Sequence, residues 1–283
     1  MSDRSPYTGA SSYPGAIYPT TGGAPSPAPE EASRPPWGLW EALLVVMVFA
    51  LSQPLFSLAG SLALSLLLPA VFHSSGAADE IFKFLLPGVI FSSHVVGWGG
   101  MYWLIALRHR QPFFSGLRFG LFSRFRVLRI FGAGMLLQVL GVFMAVWFPP
   151  PEDLDNPMLR YISLGGWAVV ILFLMAVLLA PFLEEALFRG VLYPALRRRW
   201  RFFPAALMVS ALFTALHAVQ TSGYWPALVL IFICGWVLAY LREASGHLWP
   251  PVLFHMGFNF TALLPIILLG GEIPESLPAL LAL

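Results

Sequence analysis

Long apolar stretches, separated by short polar segments, make up most of the chain beyond residue 36. Runs without Asp, Glu, Lys or Arg cover residues 42–78, 84–107, 130–151, 161–183, 202–241 and 244–271. A transmembrane helix needs about 20 predominantly apolar residues. The run 202–241 is too long for one helix, and the turn signal Thr221-Ser222-Gly223-Tyr224-Trp225-Pro226 divides it into about 204–220 and 226–241. The pattern therefore predicts seven transmembrane helices, provided that 42–78 crosses the membrane once.

The distribution of charge decides how often the run 42–78 crosses. Segments 108–129 and 197–201 contain several arginines and no acid. The acidic residues of the other connections are Asp79, Glu80, Glu152, Asp153, Asp155, Glu272 and Glu275. Arginine-rich loops stay on the cytoplasmic side, and both segments do so only if 42–78 crosses once. This topology predicts a cytoplasmic N-terminus and a C-terminus outside.

Composition agrees with a membrane protein and excludes a soluble enzyme. The chain is 58% hydrophobic and 11% charged, whereas soluble domains are about 45–50% apolar and about 25% charged. The net charge of +2 gives no argument for a nucleic-acid partner. We predict an all-α, polytopic membrane helical bundle at 37–272, between a disordered tail rich in Pro, Gly and Ser at 1–36 and a short C-terminal tail at 273–283.

Two adjacent acids lie deep inside the fourth predicted helix. Glu184 precedes Arg197 by 13 residues, which is about 20 Å along a helix. An ionised side chain at the centre of a membrane helix costs roughly 2.5–3.5 kcal/mol on insertion scales. Glu185 and Arg189 have the i, i+4 spacing of an ion pair. Glu184 points to another face, which leaves it available as a general base.

Histidines on the later helices are candidate partners of Glu184. His217 follows Phe213 by four residues on the fifth helix, and Asn259 follows His255 by four residues on the last. Two histidines, an acid and an amide could activate a water and stabilise an oxyanion. Glu184, His217 and His255 could equally hold a divalent metal such as zinc. A purely structural ion-pair network is the plainer alternative, and His94 is interpreted as a helix–helix hydrogen-bond donor.

These motifs carry a resemblance to a known family. Glu184-Glu185-x-x-x-Arg189, Phe213-x-x-x-His217 and His255-x-x-x-Asn259 occur in this order on separate apolar helices. The arrangement resembles the CPBP family of CAAX proteases and bacteriocin-processing enzymes, also called the Abi family, which includes the type II CAAX prenyl endopeptidases. The motif-bearing part covers about residues 160–265.

The resemblance implies hydrolysis of a peptide bond within the membrane. By analogy, Glu184 and His217 polarise the attacking water, His255 and Asn259 stabilise the oxyanion, and Glu185 and Arg189 support the geometry. The family is commonly called a metalloprotease family, yet the same residues can act as a glutamate-type protease without metal. The HExxH signature of soluble zinc proteases does not occur in the sequence.

We therefore expect an intramembrane endopeptidase with a peptide or membrane-protein substrate and a site open toward the cytoplasmic half of the bilayer. An ion-coupled transporter with a Glu/His proton relay is one alternative. The sequence shows no internal repeat and no paired broken helices, which many transporters have. A non-catalytic membrane scaffold that uses the tail as a binding arm is the other alternative.

Overall fold

A computed structural model describes residues 35–67, 75–120, 124–151, 161–162 and 166–268. The regular structure within these ranges is helical, which confirms the predicted all-α fold. The predicted tails lie outside the described residues, apart from Pro35 and Pro36. The helices are α1 (Leu39–Leu67), α2 (Ser75–Tyr102), α3 (Phe113–Leu117), α4 (Arg124–Trp147), α5 (Trp167–Arg197), α6 (Phe202–His217), α7 (Trp225–Ser245) and α8 (Trp249–Leu268).

The long helices fall on the predicted apolar runs. Within the described ranges, five are long and apolar enough to cross a membrane: Leu39–Leu66, Lys83–Arg108, Arg126–Trp147, Trp167–Arg197 and Trp225–Ser245. Helix α6 is apolar but shorter, and α8 has 20 residues. Helix α1 continues through Pro54 as one element, in keeping with a single crossing.

Hydrogen bonds between distant parts of the sequence define one end of the bundle. Arg198, just after α5, donates to the carbonyl oxygen of Trp37, just before α1, at 2.8 Å. His109 follows the π-helical turn Trp103–Arg108 that extends α2, and it lies 3.0 Å from the carboxylate of Glu41 in the first turn of α1. The start of α1 and the ends of α2 and α5 therefore meet at the same end, which carries the basic segments.

The α3 loop and the α7–α8 connection join this end. The backbone N–H of Leu248 donates to the carbonyl oxygen of Arg118 at 3.1 Å. Arg197 pairs with Glu243 near the end of α7 at 2.7 Å. We call this end, which contains residues 108–120, 197–201 and 246–248, the arginine-rich end.

Aromatic contacts mark the opposite end of the bundle. The rings of Phe148, after α4, and Trp225, at the start of α7, lie 5.0 Å apart. The hydroxyl of Tyr224 donates to the carbonyl oxygen of Phe148. Near the start of α5, Trp167 lies 5.2 Å from the ring of Phe84 in α2. We call this the opposite end.

Helices α4 and α8 approach each other more closely than side chains would allow. A Cβ atom at Gly134 would overlap the carbonyl oxygen of Phe254, and one at Gly257 would overlap the carbonyl oxygen of Phe131. Small residues permit such contacts between membrane helices. The two glycines therefore bring α8, with its His255 and Asn259, close to α4.

Helix α5 is interrupted on both sides of the acid pair by π-helical turns. The turns are Met175–Leu179 and Ala186–Leu192, and Ala180–Glu185 between them is α-helical. At the end of the first turn, the N–H of Ala180 donates to the carbonyl oxygen of Met175, five residues back. The next residue, Pro181, has no N–H, so this register cannot continue to Ala176.

The second π turn ends in the same way. The N–H of Tyr193 donates to the carbonyl oxygen of Phe188, and the next residue is Pro194. The carbonyl oxygen of Arg189 therefore has no partner in the π register. Short π segments inside α-helices are frequent at functional sites, and here they flank Glu184 and Glu185.

Candidate active site

Glu185 and Arg189 form the ion pair that their spacing predicts. Arg189 Nη1 donates to Glu185 Oε1 at 3.0 Å, and both side chains are completely buried. Arg189 Nη2 donates to the carbonyl oxygen of Gly235 on α7 at 2.9 Å. The guanidinium also lies 4.7 Å from the centre of the Phe213 ring, a cation–π contact with α6. Arg189 thus ties α5 to two neighbouring helices.

Glu185 has a second partner that the sequence did not predict. His255 Nδ1 lies 3.0 Å from the same Oε1 atom of Glu185. His255 comes from α8 and is almost completely buried. The shared carboxylate oxygen fixes the orientation of the imidazole ring and directs Nε2 toward Glu184.

Glu184 lies between the two predicted histidines. Its Oε2 atom is 3.9 Å from His217 Nε2 and 3.9 Å from His255 Nε2. The side chain of Glu184 is 17% exposed, whereas that of Glu185 is 0% exposed. The predicted division of the acid pair is therefore present: Glu185 faces the interior of the bundle, and Glu184 faces a cavity.

The hydrogen bonds at Nδ1 determine what the two histidines present to Glu184. His217 Nδ1 donates to the carbonyl oxygen of Phe213 at 2.8 Å, and its ring packs 4.4 Å from the Phe213 ring. A carbonyl oxygen only accepts, so Nδ1 carries the hydrogen. The same holds for His255 Nδ1 against the Glu185 carboxylate. In each neutral ring, Nε2 is then an acceptor directed toward Glu184.

The donor types of this cluster suit a divalent metal, but their spacing does not. Histidine ligands of metals usually donate their other ring N–H to a carbonyl or carboxylate, as His217 and His255 do. Tetrahedral zinc, with bonds of about 2.0–2.1 Å, holds neighbouring ligand atoms about 3.4 Å apart. Glu184 Oε2 lies 3.9 Å from Nε2 of each histidine. No group of three His, Cys, Asp or Glu in the described ranges is arranged to hold a metal ion.

Asn259 enters the cavity and also holds α5. Its Nδ2 donates to the carbonyl oxygen of Ala176 at 2.7 Å, which is the carbonyl that Pro181 leaves without a π-register partner. An amide has two hydrogens, so one remains for the predicted oxyanion role. The sequence predicted Asn259 as a site residue but not this structural contact.

Arg242 provides the matching contact at the second π turn. Its Nε donates to the carbonyl oxygen of Arg189 at 2.9 Å, and its Nη1 donates to the carbonyl oxygen of Gly246. The guanidinium is almost completely buried. Arg242 was not among the candidate residues predicted from the sequence, and the available signal was an arginine at the end of an apolar helix followed by the turn residue Gly246.

A cavity of about 360 Å³ contains this cluster. The polar side chains that line it include Gln53, His94, Glu184, His217, His255 and Asn259. From Glu184 the lining continues along Leu172 on α5 and Leu263 on α8 to Val219 and Gln220, which are exposed beyond the end of α6. The cavity therefore extends toward the opposite end of the bundle.

The sequence predicts a site that opens toward the side of the arginine clusters, which the predicted topology assigns to the cytoplasm, whereas this cavity extends away from the arginine-rich end. Buried apolar side chains fill the bundle between Glu184 and the arginine-rich end: Trp37, Leu117, Leu187, Val191 and Leu248. A Cβ atom at Gly190 would lie only 2.7 Å from Leu117. Because side chains fill the bundle on the side of the arginine-rich end, the cavity lies on the side of the opposite end.

Comparison with known proteins confirms what the motifs resemble. Residues 166–261 match the family model described as type II CAAX prenyl endopeptidase Rce1-like. The matched segment contains all three motifs and runs from α5 into α8. The resemblance to the CPBP family is confirmed for this segment. The Rce1-like segment and the apolar helices together identify an integral membrane protein.

Two curated bacterial proteins are each similar to about a third of the chain, over alignments of 92 residues. One is an uncharacterized 24.3 kDa protein of Escherichia coli, 39% identical over 31% of this chain and 41% of the relative. The other is named "Putative membrane peptidase YdiL", from Bacillus subtilis strain 168, and is 29% identical over 32% of this chain and 36% of the relative. The chain thus spans less than half the length of each. No solved structure matches it significantly.

Proposed function

We propose that this protein is an intramembrane endopeptidase in which Glu184 activates the attacking water. The observation that carries the proposal is the position of Glu184 Oε2, 3.9 Å from Nε2 of both His217 and His255. The Rce1-like segment supports the reaction class. The match to a relative named as a membrane peptidase supports it as well.

The proposed first step is water attack. A water about 2.8 Å from each atom can donate to both Glu184 Oε2 and His217 Nε2, because these acceptors are 3.9 Å apart. The water oxygen bonds to the scissile carbonyl carbon while its proton passes to Glu184. Glu184 then gives this proton to the leaving amine nitrogen as the C–N bond breaks.

The proposed oxyanion donors are His255 and Asn259. Asn259 has a second amide hydrogen besides the one that binds Ala176. His255 donates through Nε2 when its ring carries two protons, while Glu185 accepts the Nδ1 hydrogen. Donors held in place within a water-poor site stabilise developing negative charge strongly. Glu185 and Arg189 act here as positioning residues.

The alternative to this mechanism is a metalloprotease, in which a bound metal ion takes part in the hydrolysis. The three candidate ligands remain Glu184, His217 and His255, and zinc is the candidate ion. Because their spacing does not fit a metal in this structure, the proposed steps use the side chains alone. A chelator distinguishes the two versions directly.

We further propose that the N-terminus is cytoplasmic and the C-terminus outside, since the arginine-rich end then faces the cytoplasm. The cavity extends away from that end. A peptide or membrane-protein substrate would consequently reach Glu184 from the non-cytoplasmic half of the bilayer. The apolar lining favours a substrate segment rich in apolar side chains.

The test is a peptidase assay on the purified protein in lipid vesicles, with a library of apolar peptides. Wild type should cleave members of the library, and Glu184→Ala and His217→Ala should not, with unchanged folding. Glu243→Gln, which alters a carboxylate near the arginine-rich end, should cleave normally. Equal cleavage by wild type and Glu184→Ala would exclude the proposal, and substrate flux without cleavage would favour a transporter. Loss of activity with chelator, restored by zinc, would favour the metal version.

A further inference from the structure

His94 is a third histidine in the cavity, outside the three family motifs. It lies on α2, is 8% exposed and lines the cavity with Glu184. Its Nδ1 donates to the carbonyl oxygen of Ile90 at 2.8 Å. Its Nε2 is buried and has no hydrogen-bond partner in the described part of the chain. A helix–helix hydrogen bond, the role that the sequence suggested, is therefore not made by these residues.

The turn of α2 that carries His94 packs against the segment of α5 that carries the acid pair. Gly97 lies one turn further along α2, on the same face as His94. A Cβ atom at Gly97 would lie 3.1 Å from Leu183, the residue before Glu184, and 3.0 Å from Phe49 on α1. The centres of the Phe49 and His94 rings lie 6.4 Å apart, with the ring planes nearly perpendicular. The part of α2 that carries His94 therefore packs against α1 and α5.

The hydrogen bond at Nδ1 determines the chemistry that His94 offers. Because Nδ1 carries a hydrogen, Nε2 of the neutral ring is an acceptor. A peptide must be extended to be cleaved, and its backbone N–H groups then lack the partners that a helix provides. In a membrane interior each unpaired N–H is costly, so an unpartnered acceptor in the wall of the cavity would stabilise the bound peptide.

We infer that His94 is a substrate-binding residue, whose Nε2 accepts a hydrogen bond from one backbone N–H of the extended peptide. This inference rests on the proposed peptidase function. It assigns substrate contact to α2, which lies outside the Rce1-like segment. His94 would hold the peptide backbone, while the motif residues carry out the reaction.

The experiment combines His94 variants with backbone-modified peptides. A peptide that wild type cleaves in vesicles is prepared as a series, each member N-methylated at one backbone nitrogen. Removing the one N–H that His94 binds should lower kcat/KM of wild type by about 5- to 20-fold. With the unmodified peptide, His94→Phe should have a kcat/KM lower than wild type by the same factor, mainly through a higher KM. With the peptide that is N-methylated at that one position, kcat/KM of His94→Phe should fall no further.

Two further variants keep the test decisive. His94→Leu also lacks the acceptor and replaces His94→Phe if the larger ring disturbs folding. Gln138→Leu is the matched control, because Gln138 on α4 is fully buried, does not line the cavity and has no hydrogen-bond partner among the described residues. It should retain the wild-type KM and the wild-type response to N-methylation.

Each outcome either supports the inference or overturns it. A position-specific N-methylation effect that disappears in the His94 variants supports it. Equal N-methylation effects in wild type and the His94 variants at every position overturn it, while cleavage that still requires Glu184 leaves the proposed function intact. If wild type cleaves no peptide, the proposed function fails, and this inference fails with it.

Discussion

The side-chain amide of Asn259 donates a hydrogen bond to the backbone carbonyl oxygen of Ala176, 2.7 Å away on α5. This carbonyl would bind the N–H of residue 181 in the π register, and residue 181 is a proline. A side chain from α8 therefore completes the hydrogen bonding of the helix that carries Glu184. Arg242 does the same for Arg189, ahead of Pro194.

Asn259→Ala should lower the stability of the protein by about 1 kcal/mol, because it leaves a partly buried carbonyl oxygen without its donor. The same substitution should cost less in a Pro181→Ala background, since the alanine that replaces the proline has an N–H that can donate to Ala176. The measurement is the midpoint of thermal unfolding in detergent for the two single variants and the double variant. Strictly additive losses would show that Pro181 and Asn259 are not coupled.

Glu185→Ala should destabilise the fold by about 3–5 kcal/mol, because it leaves the buried Arg189 guanidinium without its carboxylate. It also removes the acceptor of His255 Nδ1. A double variant, Glu185→Leu with Arg189→Met, should be more stable than Glu185→Ala. Chemical unfolding in detergent measures these differences.

The control pair for Glu185 and Arg189 lies at the arginine-rich end. Arg197 and Glu243 form a salt bridge with side chains that are 33% and 36% exposed. Exposed pairs contribute about 0–1 kcal/mol, so Arg197→Ala should have a small effect. A cost for Glu185→Ala as small as that for Arg197→Ala would mean that the buried pair does not hold the bundle together.

Gly257→Ala should separate α4 from α8, because the new methyl group would overlap the carbonyl oxygen of Phe131. Overpacking of this kind costs typically about 1–3 kcal/mol. The same change at Gly132, also on α4, meets no atom within 4 Å and should leave stability nearly unchanged. The measurement is the midpoint of thermal unfolding of the two variants. Equal midpoints for Gly257→Ala and Gly132→Ala would contradict the close approach of α4 and α8.

The sequence predicted the helices, and it singled out candidate site residues that the structure brings together, for identifiable reasons. A membrane helix needs a fixed length of apolar residues, so runs such as 130–151 and 226–241 located the helices directly. Residues four apart share a helix face, which located the Glu185–Arg189 pair. An ionised carboxylate in the middle of an apolar membrane helix costs free energy, and this cost indicated a functional role for Glu184.

Features that depend on the rotation and packing of helices were not predicted. The contact between His255 and Glu185 joins residues 70 positions apart, and no local pattern specifies it. The π turns arise where Pro181 and Pro194 meet donors from other helices. The direction of the cavity follows from how Trp37 and Leu117 fill the other side of the bundle, and charge patterning carries no information about this packing.

The rate of peptide cleavage by Glu184→Gln, relative to wild type in the same lipid vesicles, tests the central claim most directly. The amide keeps the size of the side chain but cannot accept the proton of the water. With an unchanged unfolding midpoint, the rate should fall by about 100- to 10,000-fold, the contribution typical of a general base. A folded Glu184→Gln protein that cleaves within a few-fold of the wild-type rate would contradict the assignment of Glu184 as the group that activates water.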